Sequence, residues 1–227
     1  MRPGTAGAVL FDFGGTLDAD GVPWKERFFR ICVDEGIAGS PSAFDPVFYA
    51  ADDALVGAVP ADLSLEDTVG RLASGVARGL GVDASRSGRV AERFLGETLL
   101  QVRENTPLLE RLAARHRLGI VSNFYGNLAT VCHNAGIRPL FGAIIDSARV
   151  GATKPDPRIF QCALDALGVA SADAVFVGDS PTRDMAGARA IGMRHIWLTG
   201  TGAPGAVPCC PGDVVVTTLR AVEDVLA

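Results

Sequence analysis

From residue 106 to its end the chain alternates stretches of helical period with short apolar runs. That rhythm narrows the possible fold more than any other feature. Residues 118–122, 143–146, 174–177, 194–198 and 214–216 read as strands, each bounded by turn residues. Thr106 is predicted to cap a helix opened by Pro107, with Leu108, Leu109 and Leu112 facing inward. Residues 124–135 read as a helix stopped by Gly136. Asp156 and Pro157 open another that ends at Gly168, and Ser180 and Pro181 open a third that ends at Gly192. Strands that alternate with helices pair in parallel and need cover on both faces. The expected fold class is therefore α/β, a doubly wound parallel sheet.

One further strand, Ala8-Val-Leu-Phe11, stands far upstream of these partners, and what lies between has helical period. Trp24, Phe28, Phe29 and Cys32 share one face closed by Gly36; Val69, Leu72, Ala73, Val76 and Leu80 share another, with a capping box over Ser64 to Asp67 and a stop at Gly81. Val90, Phe94, Leu95, Leu99 and Val102 form a third. The first strand can pair only with the later ones, so residues 1–24 and 106–227 are expected to form one core. Residues 25–105 are then an all-helical module inserted after the first strand.

The 227 residues are 48% apolar and 21% charged with net charge −5, the balance of a globular chain with one sizeable core. Mild acidity and the lack of a basic stripe argue against nucleic acid or an anionic membrane as partner. The apolar run before Asp12 is too short for a secretory signal, and no segment is long enough to span a bilayer, so a cytoplasmic location is expected. Five cysteines show no paired spacing: Cys32, Cys132 and Cys162 are expected as buried thiols, and Cys209-Cys210 as a loop pair. His116, His133 and His195 are scattered and read as structural or solvated. Whether the chain is a monomer or a homodimer stays open.

Open parallel sheets bind ligands beyond the carboxyl ends of their strands. There the sequence places Asp12 with Gly14-Gly15-Thr16, then Ser122-Asn123, then Lys154, then Asp179 with Asp184 five residues on. Three carboxylates cannot receive an anionic phosphate ester unless cations offset the repulsion, and a divalent ion on hard oxygens with a lysine opposite would do so. Lys154 is one of only two lysines.

Taken together and in this order, these four groups resemble the motifs of the haloacid dehalogenase superfamily, whose phosphatase-like members carry a helical cap. The resemblance implies hydrolysis of a small phosphorylated substrate with Mg2+ as cofactor. It makes Asp12 the nucleophile, and places Mg2+ on the other oxygen of Asp12, the Gly14 carbonyl and Asp179. Asp184 would bind through water or orient Lys154. Ser122 and the Asn123 N–H would hold phosphate oxygens together with Lys154, and Thr16 would either join them or anchor the loop.

The pattern breaks at one point. Phosphatases of this superfamily carry a general acid two residues after the nucleophile, and here that position is Gly14. General acid catalysis contributes about 10²- to 10⁴-fold, so slow or substrate-restricted turnover is expected. Asp18 and Asp20, in the adjacent turn, are candidate replacements. Other readings are a dehalogenase-like enzyme, a phosphonatase-like one with a cap lysine, for which only Lys25 is available, and a non-catalytic phosphate-binding or regulatory module.

Overall fold

The computed structural model describes residues 6–201 and 213–227; Cys209 and Cys210 lie outside them. Six strands, β1 (Ala8–Phe11), β2 (Arg117–Ser122), β3 (Ala143–Asp146), β4 (Ala174–Gly178), β5 (Arg194–Leu198) and β6 (Val214–Val216), form one parallel sheet in the order β3-β2-β1-β4-β5-β6. β1 is central because its residues are apolar on both faces. Val9 and Phe11 join one apolar cluster, while Ala8 and Leu10 join the other with Ile159 and Phe160. A strand buried on both sides carries no polar alternation, as its sequence shows.

The chain leaves β1 toward β2 and β3 and then returns to β4 on the other side. The crevice at this reversal is where a doubly wound sheet takes ligands. Asp12 follows β1 there, its N–H donating to the Val177 carbonyl at 2.9 Å.

Between β1 and β2 run α1 (Trp24–Asp34), α2 (Pro41–Asp53), α3 (Leu65–Gly79) and α4 (Ser87–Ala113). The Ser64 cap is confirmed, its hydroxyl accepting from the Asp67 N–H at 2.9 Å, and Gly81 adopts φ +67° beyond the end of α3. Phe28, Phe44, Phe48, Leu72 and Phe94 of these helices belong to the same apolar cluster as Val9 and Phe11. α2 has no counterpart in the sequence reading, because Pro46 sits inside it and breaks the signal.

The predicted helix start at Thr106 is incorrect. α4 runs unbroken for 27 residues through Pro107, so the 105/106 division falls inside one helix. Thr106 is no cap: its hydroxyl donates to the Val102 carbonyl one turn back, at 2.8 Å. An interior proline costs about 3 kcal/mol. Burial of Leu108, Leu109 and Leu112 on the next turns returns about 1.5–3 kcal/mol each, so the helix persists.

The remaining helices are α5 (Leu128–Asn134), α6 (Ser147–Val150), α7 (Pro157–Leu167), α8 (Ala186–Ala190) and α9 (Ala221–Leu226), with a π-type turn over Pro181–Met185 leading into α8. α5 starts four residues later than predicted. Gly126 takes φ +113°, and the buried carboxylate of Asp146 accepts from the Gly126 and Leu128 N–H groups at 2.8 and 3.0 Å. Its other oxygen accepts from Ala148 N–H at 3.0 Å. One strand-end aspartate thus caps two helices and fixes the loop carrying Phe124 and Tyr125.

Asp146→Ala leaves these buried donors unpaired. It is expected to destabilise the protein by about 2 to 4 kcal/mol, measured by urea denaturation.

Candidate active site

The strand ends bring the sequence-selected groups together. Lys154, 4% exposed, places its Nζ 2.8 Å from Asp12 Oδ1 and 2.6 Å from Asp184 Oδ1. Carboxylate oxygens of Asp12, Asp179 and Asp184 lie within 4.8 Å of one another. Burial and the neighbouring Asp184 and Asp12 push the Asp179 carboxyl well above the usual carboxylate range. Asp184 is raised too: its burial outweighs the pull of Lys154. Burial works against the charge on Lys154, yet Asp12 and Asp184 prevail and its pKa rises, so it stays an ammonium. Three carboxylates against one fixed cation form a donor set of hard oxygens with negative charge in excess, which fits a divalent ion such as Mg2+.

Asp12 is held by three donors that converge on Oδ1: the Phe13 N–H at 2.7 Å, the Ser122 hydroxyl at 2.6 Å and Lys154. Asn123 does more than its backbone suggested. Its side-chain oxygen accepts from the Lys154 N–H at 2.7 Å and its Nδ2 donates to the Lys154 carbonyl at 3.2 Å, clamping the lysine loop to β2. The buried Thr16 hydroxyl donates to Asp179 Oδ1 at 3.3 Å, so the first loop is tied to the fourth. Gly15, at φ +89°, passes so close to Asp179 that a Cβ would sit 2.5 Å from its Oδ2; only glycine fits.

Neither proposed substitute acid faces the crevice. Asp18 is fully buried and accepts from the Gly15 N–H, Trp24 Nε1 and Arg27 Nη1 at 2.7, 2.6 and 2.9 Å. It is the hub of the turn rather than a proton donor. Asp20 turns the other way and caps the Leu219 N–H at 2.6 Å.

A cavity of about 210 Å³ opens at the strand ends, reached by Asp12, Gly14, Lys154 and Asp179 and walled by Trp24, Phe48, Asp52, Tyr125 and Arg183. A larger open groove of about 970 Å³ lies among α2, α3 and α4, lined by none of the clustered carboxylates. The sequence reading missed Trp24, Asp52, Tyr125 and Arg183 as wall residues. Tyr125 was discoverable, three positions beyond Ser122 in one loop; Asp52 was not, because α2 itself was hidden. Lys25 also lines the cavity, but Asp45 and Glu26 hold its Nζ at 3.0 and 2.9 Å. Burial opposes its charge, yet these carboxylates raise its pKa, which unsuits it for Schiff-base chemistry.

The histidines and described cysteines play no part here. His116 Nδ1 lies 2.6 Å from the Ala6 carbonyl, and His195 Nε2 2.8 Å from Asp213. Cys32 and Cys132 are buried free thiols, pushed up by burial to about 11 and about 12, and Cys162 is a partly exposed one.

A profile of haloacid dehalogenase-like hydrolases matches residues 6–192. The chain belongs to this family. Phosphoserine phosphatase of Thermus thermophilus is 47% identical over 64 residues, 28% of this chain and 26% of that protein. Haloacid dehalogenase-like hydrolase domain-containing protein 3 of Bos taurus is 40% identical over 84 residues, 37% of this chain and 34% of that one. The matched stretches thus span well under half of these relatives. Over nearly whole chains, 96% and 97%, the fold superposes on a 2-haloacid dehalogenase of Pseudomonas syringae pv. tomato with TM-score 0.55 and 25% identity. Among the described residues no helix is long and apolar enough to cross a membrane.

The structure shows what a side chain at position 14 would meet. Gly14 has φ −74° and ψ 120°, open to any residue, but a Cβ there would lie 3.2 Å from Trp24 Nε1. A side chain there would press on the indole. Its ring packs on Phe94, Phe124 and Tyr125 with centroids 5.0, 5.8 and 6.3 Å away, so it cannot easily withdraw. Gly14→Ala is expected to destabilise by about 1 to 3 kcal/mol and Gly14→Asp by more, read as falls in Tm in thermal denaturation.

Proposed function

We propose that this hydrolase is a Mg2+-dependent phosphohydrolase of a small phosphorylated metabolite, acting through an aspartyl-phosphate on Asp12. The observation that carries the reading is the Asp12, Asp179 and Asp184 cluster with Lys154 buried against it. The Asp12 carboxylate attacks phosphorus, the leaving oxygen departs, and water then hydrolyses the acyl phosphate. Asp12, Asp179 and the Gly14 carbonyl would hold the metal, which when bound would offset the charge of the carboxylates and of the phosphoryl oxygens. The 2.6 Å contact with Lys154 favours Asp184 as the residue that orients the ammonium. Ser122, the Asn123 N–H and Lys154 meet the phosphate, while the bond from Thr16 to Asp179 favours its loop-anchoring role. The curated relatives include a phosphoserine phosphatase and a glyceraldehyde 3-phosphate phosphatase, which supports this substrate class.

In this reading the four helices between β1 and β2 act as a cap over the site, and the enzyme works in the cytoplasm as a monomer or homodimer. Glycine at position 14 supplies no proton to the leaving oxygen, and leaving groups that are stable as anions are the easiest to expel. A metal-independent dehalogenase is the second reading, favoured by the likeness to the Pseudomonas enzyme. The excess of buried negative charge at Asp179 and Asp184 speaks against it, since that chemistry leaves the cluster without its cation.

Wild type with Mg2+ is expected to release phosphate from nitroaryl or acyl phosphates faster than from sugar phosphates. Asp12→Asn or chelation should lower that release by at least about 10³-fold in a phosphate-release assay; halide release without metal would instead establish the second reading.

A further consequence concerns stability. Asp179 binds its proton more tightly folded than unfolded, so without metal the stability declines as pH rises above the ordinary carboxylate pKa. Asp179 would give up that proton on holding Mg2+. The stabilisation by Mg2+, read as the rise in Tm on adding the ion, is expected to be larger at about pH 7.5 than at about pH 5.

A further inference from the structure

The reaction proposed above lacks a proton donor at position 14, yet the cavity contains another carboxyl. Asp52 lies in the last turn of α2, half-buried, and lines the same cavity as Asp12. The Tyr125 hydroxyl donates to Asp52 Oδ1 at 2.5 Å. Tyr125 is itself 4% exposed, its ring packed against Phe124 with centroids 4.7 Å apart and planes tilted by 42°, and its carbonyl accepts from the Gly57 N–H at 3.0 Å. The pair therefore bridges the helical insertion and the loop that follows the phosphate-site residues Ser122 and Asn123.

We propose that Asp52, held by Tyr125, is the general acid that protonates the leaving oxygen in place of the missing group at position 14. The inference rests on the phosphohydrolase reading. In the first step the ester P–O bond breaks, its electron pair passes to the leaving oxygen, and that oxygen takes the proton of the Asp52 carboxyl. In the second step the Asp52 carboxylate takes a proton from the water that attacks the aspartyl-phosphate. The P–O bond to Asp12 breaks, inorganic phosphate leaves, and Asp52 is again neutral. Charge and protons balance over the cycle.

The surroundings suit a carboxyl that must hold its proton until it is needed. Burial raises its pKa, the adjacent Asp53 adds to that, and the bond from Tyr125 and the charge of Arg183 pull the other way, with burial prevailing. The carbonyl end of α2 further disfavours a negative charge there. Lys25 and Glu26 of α1 line the same cavity, the ammonium held by Glu26 and Asp45. Tyr125, pushed well above its ordinary pKa by burial and Asp52, remains a hydrogen-bond donor and acts as a positioning residue.

The test is kcat/KM for an alkyl phosphate and a nitroaryl phosphate with Mg2+, in wild type, Asp52→Asn and Tyr125→Phe. A general acid matters most where the leaving group is poor, with effects of about 10²- to 10⁴-fold. Asp52→Asn is expected to lower alkyl-phosphate turnover at least tenfold more than nitroaryl-phosphate turnover. In wild type the alkyl-to-nitroaryl ratio should fall as pH rises through the Asp52 pKa, and Tyr125→Phe should move that fall to higher pH by removing a bond that favours the carboxylate. Equal losses on both substrates in Asp52→Asn would overturn the proposal and leave Asp52 a binding group. A wild type that cleaves nitroaryl but no alkyl phosphate would overturn it as well. Release from neither substrate would refute the phosphohydrolase reading itself, and this inference with it.

Discussion

The architecture turns on the meeting of Lys154 with Asp12 and Asp184. Charges buried this deeply are costly unless paired, and the Lys154 ammonium lies 2.8 Å from Asp12 Oδ1 and 2.6 Å from Asp184 Oδ1. Nothing local brings the three together: they follow different strands or lie in different loops. Only the β1–β4 pairing, with β2 on the far side, aligns them at one edge of the sheet. The Asn123 clamp on the lysine loop and the Thr16 bond to Asp179 then remove the remaining slack. Even with Lys154 in place, the three carboxyl groups of Asp12, Asp179 and Asp184 outnumber the one ammonium by two, and such an imbalance marks a site shaped for a further cation.

The turn after β1 shows the same economy of positions. Asp18 gathers Gly15, Trp24 and Arg27 around one buried carboxylate, and Arg27 in turn donates to the Thr98 hydroxyl of α4 at 2.8 Å. The first loop of the crevice is thereby fastened to the entry and the long helix of the insertion. The tryptophan held by Asp18 is also the group that a side chain at position 14 would press against, so the turn and the space beside Gly14 are set by the same packing.

Much of this was legible in the sequence because strand and helix alternation after residue 106 is a strong signal. Strand ends are also where an open sheet collects its polar groups, so Asp12, Ser122, Lys154, Asp179 and Asp184 could be chosen without coordinates. What stayed hidden was set by tertiary contacts. Thr106-Pro107 carries every local mark of a helix start, yet the leucines beyond it pack into the core and carry the helix through. Residues 124–127 adjoin a helical stretch, but Asp146 and Ser147, distant in sequence, take the N–H groups of Gly126 and Leu128 and of Phe124, and hold residues 124–127 as a loop. α2 vanished behind its interior proline, and Asp52 with it. Asp18 and Asp20 looked like free turn carboxylates because their partners, Trp24, Arg27 and Leu219, are identified only by the folded chain.

The unbroken α4 changes how the molecule can flex. A rod of 27 residues, about 40 Å long, joins the four-helix insertion to β2, so that side offers no slack tether about which the insertion could swing. Its one weak rung is Pro107, which has no N–H to give to the turn before it. Just before that rung, the Asn105 amide donates to the Leu17 carbonyl at 2.9 Å and fastens the rod to the β1 loop, so the point of α4 most open to bending is the one tied to the first loop of the crevice.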